Sequence, residues 1–205
     1  MTPPSVDPAF AGLLVEPPTR IPWYLRVGLW WARRATGKEP LPGRLLAHFP
    51  RGAVAAGLFE LGAAHAPRHL GGRELATARL VASATAGCPF CIDMNAAGHA
   101  ESGLSMAELT MLLQLDVERW HELGPREHAA ARYARSLSST PVVVPGDLAQ
   151  LLPQVYTSRE IVVLATTIAQ VNYWARFCNG LGVPAAGFFD ERACPLPVAR
   201  EAPAR

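Results

Sequence analysis

The sequence predicts an all-α protein folded as a compact helical bundle, and three observations predict it. Apolar residues recur at helical spacing, with no stretch of alternating apolar and polar residues long enough for a sheet. Two capping boxes, Ser105-Met106-Ala107-Glu108 and Thr157-Ser158-Arg159-Glu160, each open an apolar run. Proline and glycine punctuate the chain at helix-sized intervals. Half of the 205 residues are apolar and 18% are charged, enough to bury a core. The net charge of +2 is too small for a phosphate-binding surface to be the main activity, so no nucleic-acid partner is expected.

The elements follow in order. Residues 1–20 carry five prolines and no sustained period, and are expected to form an irregular arm. Pro22 opens an aromatic and basic helix over 23–34. It is read as a packing helix with snorkelling arginines, the alternative being a membrane-surface helix. Pro40 and Pro42 interrupt, and an apolar helix is expected from Gly52 to Ala64. After Gly71-Gly72, an alanine-rich helix from Arg73 to Ala86 stops at Gly87. Cys88 to Glu101 is the next helix, followed by Gly103. Ser105 caps a helix running to about Val117. Gly124-Pro125 places proline at a first helical position, with the helix continuing to Ser139. Pro141 and Pro145-Gly146 make a loop, and Val142 to Val144 is too short to force a sheet. Thr157 caps the longest helix, which ends at Asn179-Gly180. A single domain is expected over 21–188, followed by a Pro/Ala-rich tail over 189–205, with no long-period repeat.

The N-terminus lacks the charged start and apolar run of a signal peptide. The longest uncharged stretch of the C-terminal half, 161–175, is broken by polar residues and is too short to span a bilayer. The expected location is the cytoplasm. A stable disulfide framework is not expected there, so a close cysteine pair points to redox chemistry or metal.

That pair is Cys88 and Cys91, in Gly87-Cys88-Pro89-Phe90-Cys91-Ile92-Asp93-Met94-Asn95. Two cysteines three apart in a first helical turn can close a disulfide. Unpaired amides and the positive end of the helix dipole favour thiolate over thiol. A thiolate attacks a peroxide or disulfide, and the second thiol resolves the product. Two buried small hydrophobes are the plainer reading. Structural zinc is disfavoured, because neither Cys178 and Cys194 nor His65 and His69 complete a four-ligand spacing; no cofactor is expected.

This motif, together with Gly103-Leu104 before a capped helix, resembles the alkylhydroperoxidase D / carboxymuconolactone decarboxylase family. The segments Leu123 to Ala134, Ile168 to Phe177 and Leu181-Gly182-Val183-Pro184 are similar to segments of its longer members, so the likeness covers about 40–188. The resemblance implies an all-helical domain assembling as a homo-oligomer (dimer, trimer or hexamer). It also implies a cytosolic thiol-dependent peroxidase restored by a cellular dithiol, or in other members a cofactor-free decarboxylase. Peroxidase members carry a relay histidine four residues after the second cysteine, and a glutamate twelve before the first. Here those places are Asn95 and Ala76. Asparagine donates hydrogen bonds but does not titrate. Glu74 lies about 200° round the helix from Ala76 and does not replace it.

His99 lies on the same helix face as Asn95, about 12 Å along the axis from Cys91, and is read as a surface or interface histidine. Asp93 is read as a solvated or helix-start acid. Glu127 and Arg132 are expected in one ion pair. Asn172 and Arg176 line a pocket, bind an anion or bond backbone at a subunit contact. Cys178 is expected as a buried hydrophobe and Cys194 as an exposed thiol.

The catalytic candidates are therefore Cys88, Cys91 and Asn95. The leading expectation is a slow hydroperoxide reductase acting through the cysteine pair. The second is a decarboxylase, isomerase or lyase acting on a small organic acid. The third is a non-catalytic oligomeric module, which would be favoured by cysteines fully buried with no pocket reaching them.

Overall fold

The computed structural model describes residues 12–63 and 70–189. Most of the expected arm, His65 and His69, and the tail with Cys194 lie outside the described residues. Nine α-helices and one 3-10 helix are described, with no strand among the described residues. They are α1 (Trp23–Thr36), α2 (Leu41–Leu46), α3 (Pro50–Ala63), α4 (Gly72–Thr85), α5 (Pro89–Ala97) and α6 (Met106–Leu113). The 3-10 helix (Val117–Glu122) follows, then α7 (Pro125–Ser138), α8 (Gly146–Val155) and α9 (Ser158–Leu181).

Both capping boxes form. Ser105 Oγ and Thr157 Oγ1 accept from the N–H groups of Glu108 and Glu160, whose carboxylates accept from the cap backbones in return. Other boundaries differ from the sequence reading for local reasons. α5 starts at Pro89, not Cys88, because Cys88 is its N-cap, and it ends at Ala97 before Gly98. The helix expected to reach Val117 stops at Leu113. Leu115 adopts a left-handed φ of 54°, and the chain re-forms as the 3-10 helix. α2 and α8 arise where proline suggested only loop. Proline occupies the first turn of α2 and Pro145 the N-cap of α8, both positions that need no intrahelical N–H.

α4 lies at the centre, packed on α5, α6, α7 and α9. The main core includes Leu80, Leu109, Leu112, Trp120, Leu148, Leu164 and Ile168, all fully buried. Each such large apolar side chain removed from water stabilises the fold by about 1.5–3 kcal/mol before chain entropy is counted. A second, smaller cluster joins Leu45, Cys88, Phe90, Cys91, Ala175, Cys178 and Val183.

The ion pairs follow one pattern in the α4–α6 and α7–α9 halves of the bundle. Arg73 and Glu74 open α4, and Arg126 and Glu127 open α7, 53 positions later. Arg73 bonds Glu127 (3.1 Å) and the first capping-box glutamate, Glu108 (2.6 Å). Arg126 bonds Glu74 (2.8 Å) and the second capping-box glutamate, Glu160 (2.6 Å). Each half thus supplies an arginine to its own helix cap and to the other half's acid. Glu127 is therefore not the partner of Arg132, which pairs with Asp147 instead. Glu74 is committed to Arg126, as its position on the helix demands.

α1 departs in part from its expected role. Its aromatic stripe (Trp23, Tyr24, Val27, Trp30, Trp31) is exposed, and only Leu25, Leu29 and Ala32 are partly covered. None of its residues is fully buried in this chain; it packs on α3 through its partly covered face and leaves the aromatic stripe open. No helix of the described residues is long and apolar enough to cross a membrane.

Candidate active site

The site begins where α4 ends. Ala86 still has helical backbone geometry, and Gly87 then takes a φ of 59°, a left-handed turn that a side chain would strain. That turn swings Cys88 into the N-cap of α5, with φ −96° and ψ 107°. Its sulfur accepts the N–H of Cys91 at 3.3 Å, in the way a serine oxygen would. Pro89 costs no hydrogen bond at this first helical position. The one-turn spacing then brings Cys91 Sγ to 2.8 Å from Cys88 Sγ, with both cysteines as free thiols.

A third sulfur joins them from α9. Cys178 is buried, and the three Sγ atoms lie within 4.8 Å of one another. The end of α9 is held there by Asn179, whose side-chain N–H donates to the Ala86 carbonyl at 2.9 Å, on the turn that delivers Cys88. Sequence reasoning took Cys178 as a buried hydrophobe. It is buried as expected, but its place beside the pair, 87 positions further along the chain, has no sequence signature.

The electrostatics are asymmetric. Hydrogen bonds from Cys178 and Cys91, with help from the Cys91 and Phe90 backbone, outweigh burial and hold the Cys88 thiol well below its ordinary range. The Cys91 and Cys178 thiols are pushed up, because sulfur contacts and burial keep their protons on. These directions favour the thiolate at Cys88 over one at Cys91 or Cys178. Three sulfurs are also a potential metal ligand set. A closed zinc site, however, needs a fourth ligand and deprotonated thiols, and apolar side chains surround these sulfurs.

Asn95, one turn past Cys91, has its amide donors committed elsewhere: to Ser83 Oγ at 3.0 Å and to the Cys91 carbonyl at 2.8 Å. The structure does not direct them at a sulfur. Ala76 packs on the main core. His99 sits off the site, its Nδ1 on the Ala96 carbonyl and its ring edge-on to Phe189. His48 bonds the Glu16 carbonyl and His121 the Glu118 carbonyl. Asn172 donates to Ser138 Oγ and Ile168 O, while Arg176 reaches Thr140; both join α9 to the end of α7 within one chain.

Asp93 overturns its reading as a solvated acid. It is 1% exposed, and its carboxylate accepts three backbone N–H groups: Ala186 (2.8 Å) and Phe188 (3.1 Å) on Oδ2, and Phe189 (2.8 Å) on Oδ1. This pins a C-terminal strap, 183–189, over the sulfurs. Val183 is buried in their cluster, Ala186 and Phe188 pack on it, and Phe188 meets Phe90 edge-on at 5.8 Å. Cys88 and Cys91 are consequently 0% and 1% exposed. Neither of two surface cavities, of about 370 and 280 Å3, is lined by a cysteine. The second is nonetheless adjacent: Leu45 belongs to the sulfur cluster, and Phe177 and Leu181 flank Cys178 in the last turns of α9.

No protein-family model matches the chain. An uncharacterised protein of Escherichia coli strain K12, YnjA, is 28% identical over 178 residues, covering 84% of this chain and 94% of that protein. Among solved structures, the apo debrominase Bmp8 superposes with a TM-score of 0.73 at 18% identity, over 85% of this chain and 93% of that one. A cysteine-to-alanine variant of Bmp8 in complex with 2,3,4-tribromopyrrole gives 0.70, also at 18%, over 82% and 89%. A protein of unknown function from Agrobacterium tumefaciens, a candidate antioxidant defence protein AhpD, gives 0.60 at 22%, over 68% and 94%. The architecture matches what the cysteine motif and its flanking segments imply: this chain has the all-helical alkylhydroperoxidase D-like fold.

Proposed function

We propose that this protein is a cytoplasmic thiol-disulfide oxidoreductase that reduces small hydroperoxides through Cys88 and Cys91. The observation that carries this reading is the Cys88 sulfur at a helix N-cap, hydrogen-bonded by the Cys91 amide and 2.8 Å from the Cys91 sulfur. The Cys88 thiolate attacks one peroxide oxygen, the O–O bond breaks, and the alcohol or water that leaves takes up a proton. The resulting Cys88 sulfenic acid condenses with the Cys91 thiol, releasing water and closing the disulfide. A cellular dithiol restores both thiols by exchange. The trio of sulfurs and the likeness to a candidate antioxidant defence protein support this assignment. Assembly as a homo-oligomer is part of the same proposal.

Turnover is slow in this reading. Asn95 does not titrate and position 76 is alanine, so the general acid-base help usually worth 10²–10⁴-fold is missing. Entry of the oxidant requires the strap over the sulfurs to open.

Two observations favour other readings. The absent proton relay suits a non-peroxidase reaction on the same scaffold, whether on a small organic acid or, as in the debrominase, on a halogenated ring. The buried sulfurs suit a non-catalytic module. Mixing reduced protein with an organic hydroperoxide and counting thiols decides. Loss of the Cys88 and Cys91 thiols with formation of their disulfide supports the peroxidase. Thiols that stay reduced while a known peroxidase of this fold is oxidised refute it. Cys88→Ser and Cys91→Ser variants that keep full activity on a small organic acid would establish the second reading.

A further inference from the structure

We propose that Cys178 is a second resolving thiol, so that the sulfenic acid of Cys88 is closed either by Cys91 on α5 or by Cys178 on α9. The proposal rests on the reading of Cys88 as the nucleophile. Three observations lead to it. Cys178 Sγ lies within 4.8 Å of both other sulfurs, so a shift of at most about 3 Å in sulfur position brings it to the roughly 2.05 Å of a disulfide with Cys88. The backbone around it is held: Asn179 ties α9 to Ala86, and the Val183 N–H closes back on the Cys178 carbonyl at 2.9 Å. The three sulfurs also share one apolar cluster, over which the strap packs, so the thiols nearest a sulfenic acid at Cys88 are Cys91 and Cys178.

The step balances as follows. The Cys178 sulfur attacks the Cys88 sulfur, the S–O bond breaks, and hydroxide leaves with the thiol proton as water. Two thiols have then been oxidised to one disulfide, and the hydroperoxide has been reduced to an alcohol and water. The same dithiol that reduces the Cys88–Cys91 disulfide reduces this one. A second resolving thiol shortens the life of the sulfenic acid, which otherwise proceeds irreversibly to sulfinic acid in excess peroxide.

The test uses full-length protein carrying Cys194→Ser, so that the tail thiol does not contribute. Cys91→Ser, Cys178→Ser and the double variant are each treated with one equivalent of tert-butyl hydroperoxide and, separately, with diamide. Thiols are counted, disulfides are mapped by peptide mass spectrometry and sulfenic acid is trapped with dimedone. Cys91→Ser is expected to lose two thiols and yield a Cys88–Cys178 disulfide. The double variant is expected to accumulate the dimedone adduct at Cys88 and, when the hydroperoxide is raised to excess without dimedone, to form sulfinic acid faster than Cys91→Ser. A Cys91→Ser protein that accumulates the Cys88 dimedone adduct under hydroperoxide, and in which diamide also leaves Cys178 free, overturns the proposal. Cys91→Ala provides the same comparison should the serine variant not fold. Diamide separates the two claims. A Cys88–Cys178 disulfide formed with diamide but not with hydroperoxide supports the third thiol and refutes the peroxidase reading.

Discussion

Replacing Asp93 with asparagine should unlatch the sulfurs while leaving the rest of the fold in place. Asparagine has the same shape but one acceptor oxygen instead of two. Its amide nitrogen would therefore face at least one of the N–H groups of Ala186, Phe188 and Phe189, donor against donor. Each backbone bond to a charged carboxylate is worth about 1.5–3 kcal/mol, and a buried N–H left unpaired costs a similar amount. Taking about 3 kcal/mol as the loss confined to the strap, its opening becomes about 150-fold more frequent. The assay is the rate at which iodoacetamide labels Cys88 and Cys91 in the native protein, which tracks the open population when closing is fast. We expect a rise of about two orders of magnitude in Asp93→Asn. Phe188→Ala, which removes the ring packed on the sulfur cluster and on Phe90 but keeps the three bonds to Asp93, should give a smaller one. An unchanged labelling rate in an Asp93→Asn protein with intact near-ultraviolet circular dichroism would show that the strap does not control access.

Two further predictions test the electrostatics. Because Cys88 is held below the ordinary thiol range while Cys91 and Cys178 are pushed above it, ultraviolet thiolate absorbance of the Cys194→Ser protein should report one buried thiolate per chain from about pH 6 to 9. Cys88→Ser should abolish it, and a signal that instead rises from zero through the ordinary thiol range would contradict the site electrostatics. Arg126→Met should lower the melting temperature by about 4–8 °C, since it strands the buried Glu74 and cuts the bond to Glu160, at about 2 kcal/mol in all. Glu160 is held down to about 2 by the Thr157 backbone and Arg126, so its pairing favours the fold above the ordinary carboxylate range and is lost as pH falls toward 2. The gap in melting temperature between wild type and Arg126→Met should therefore shrink on acidification below about pH 4. A gap that is independent of pH would mean that Arg126 contributes by packing alone.

What was legible in the sequence is what local chemistry determines. A capping box satisfies its own helix end, so Ser105 and Thr157 announce their helices whatever lies around them. The pairing of Gly124 with Pro125, and a cysteine three residues after another behind a glycine, are equally local. Proline is ambiguous because it is both a breaker and a good first-turn residue: Pro40 and Pro42 read as interruption and Pro145 as loop, yet they stand at the starts of α2 and α8. Long-range choices left no trace. Nothing near Asp93 tells that three amides from residues more than 90 positions away will surround it, and nothing near Cys178 announces two sulfurs on another helix. The reciprocal ion pairs have no sequence signature either, because two Arg-Glu dipeptides 53 positions apart reveal a relation only once their side chains cross-pair.

The exposed stripe on α1 has a spectroscopic consequence. Three of the five tryptophans, Trp23, Trp30 and Trp31, stand on that stripe, whereas Trp120 is fully enclosed and Trp174 is tied to Glu60. Most indole emission from this chain alone should therefore be red-shifted and open to iodide quenching in the native state, which makes bulk fluorescence a poor gauge of unfolding. The same placement gives a label-free reporter: whatever covers α1 must dry three indoles at once and move the emission to the blue.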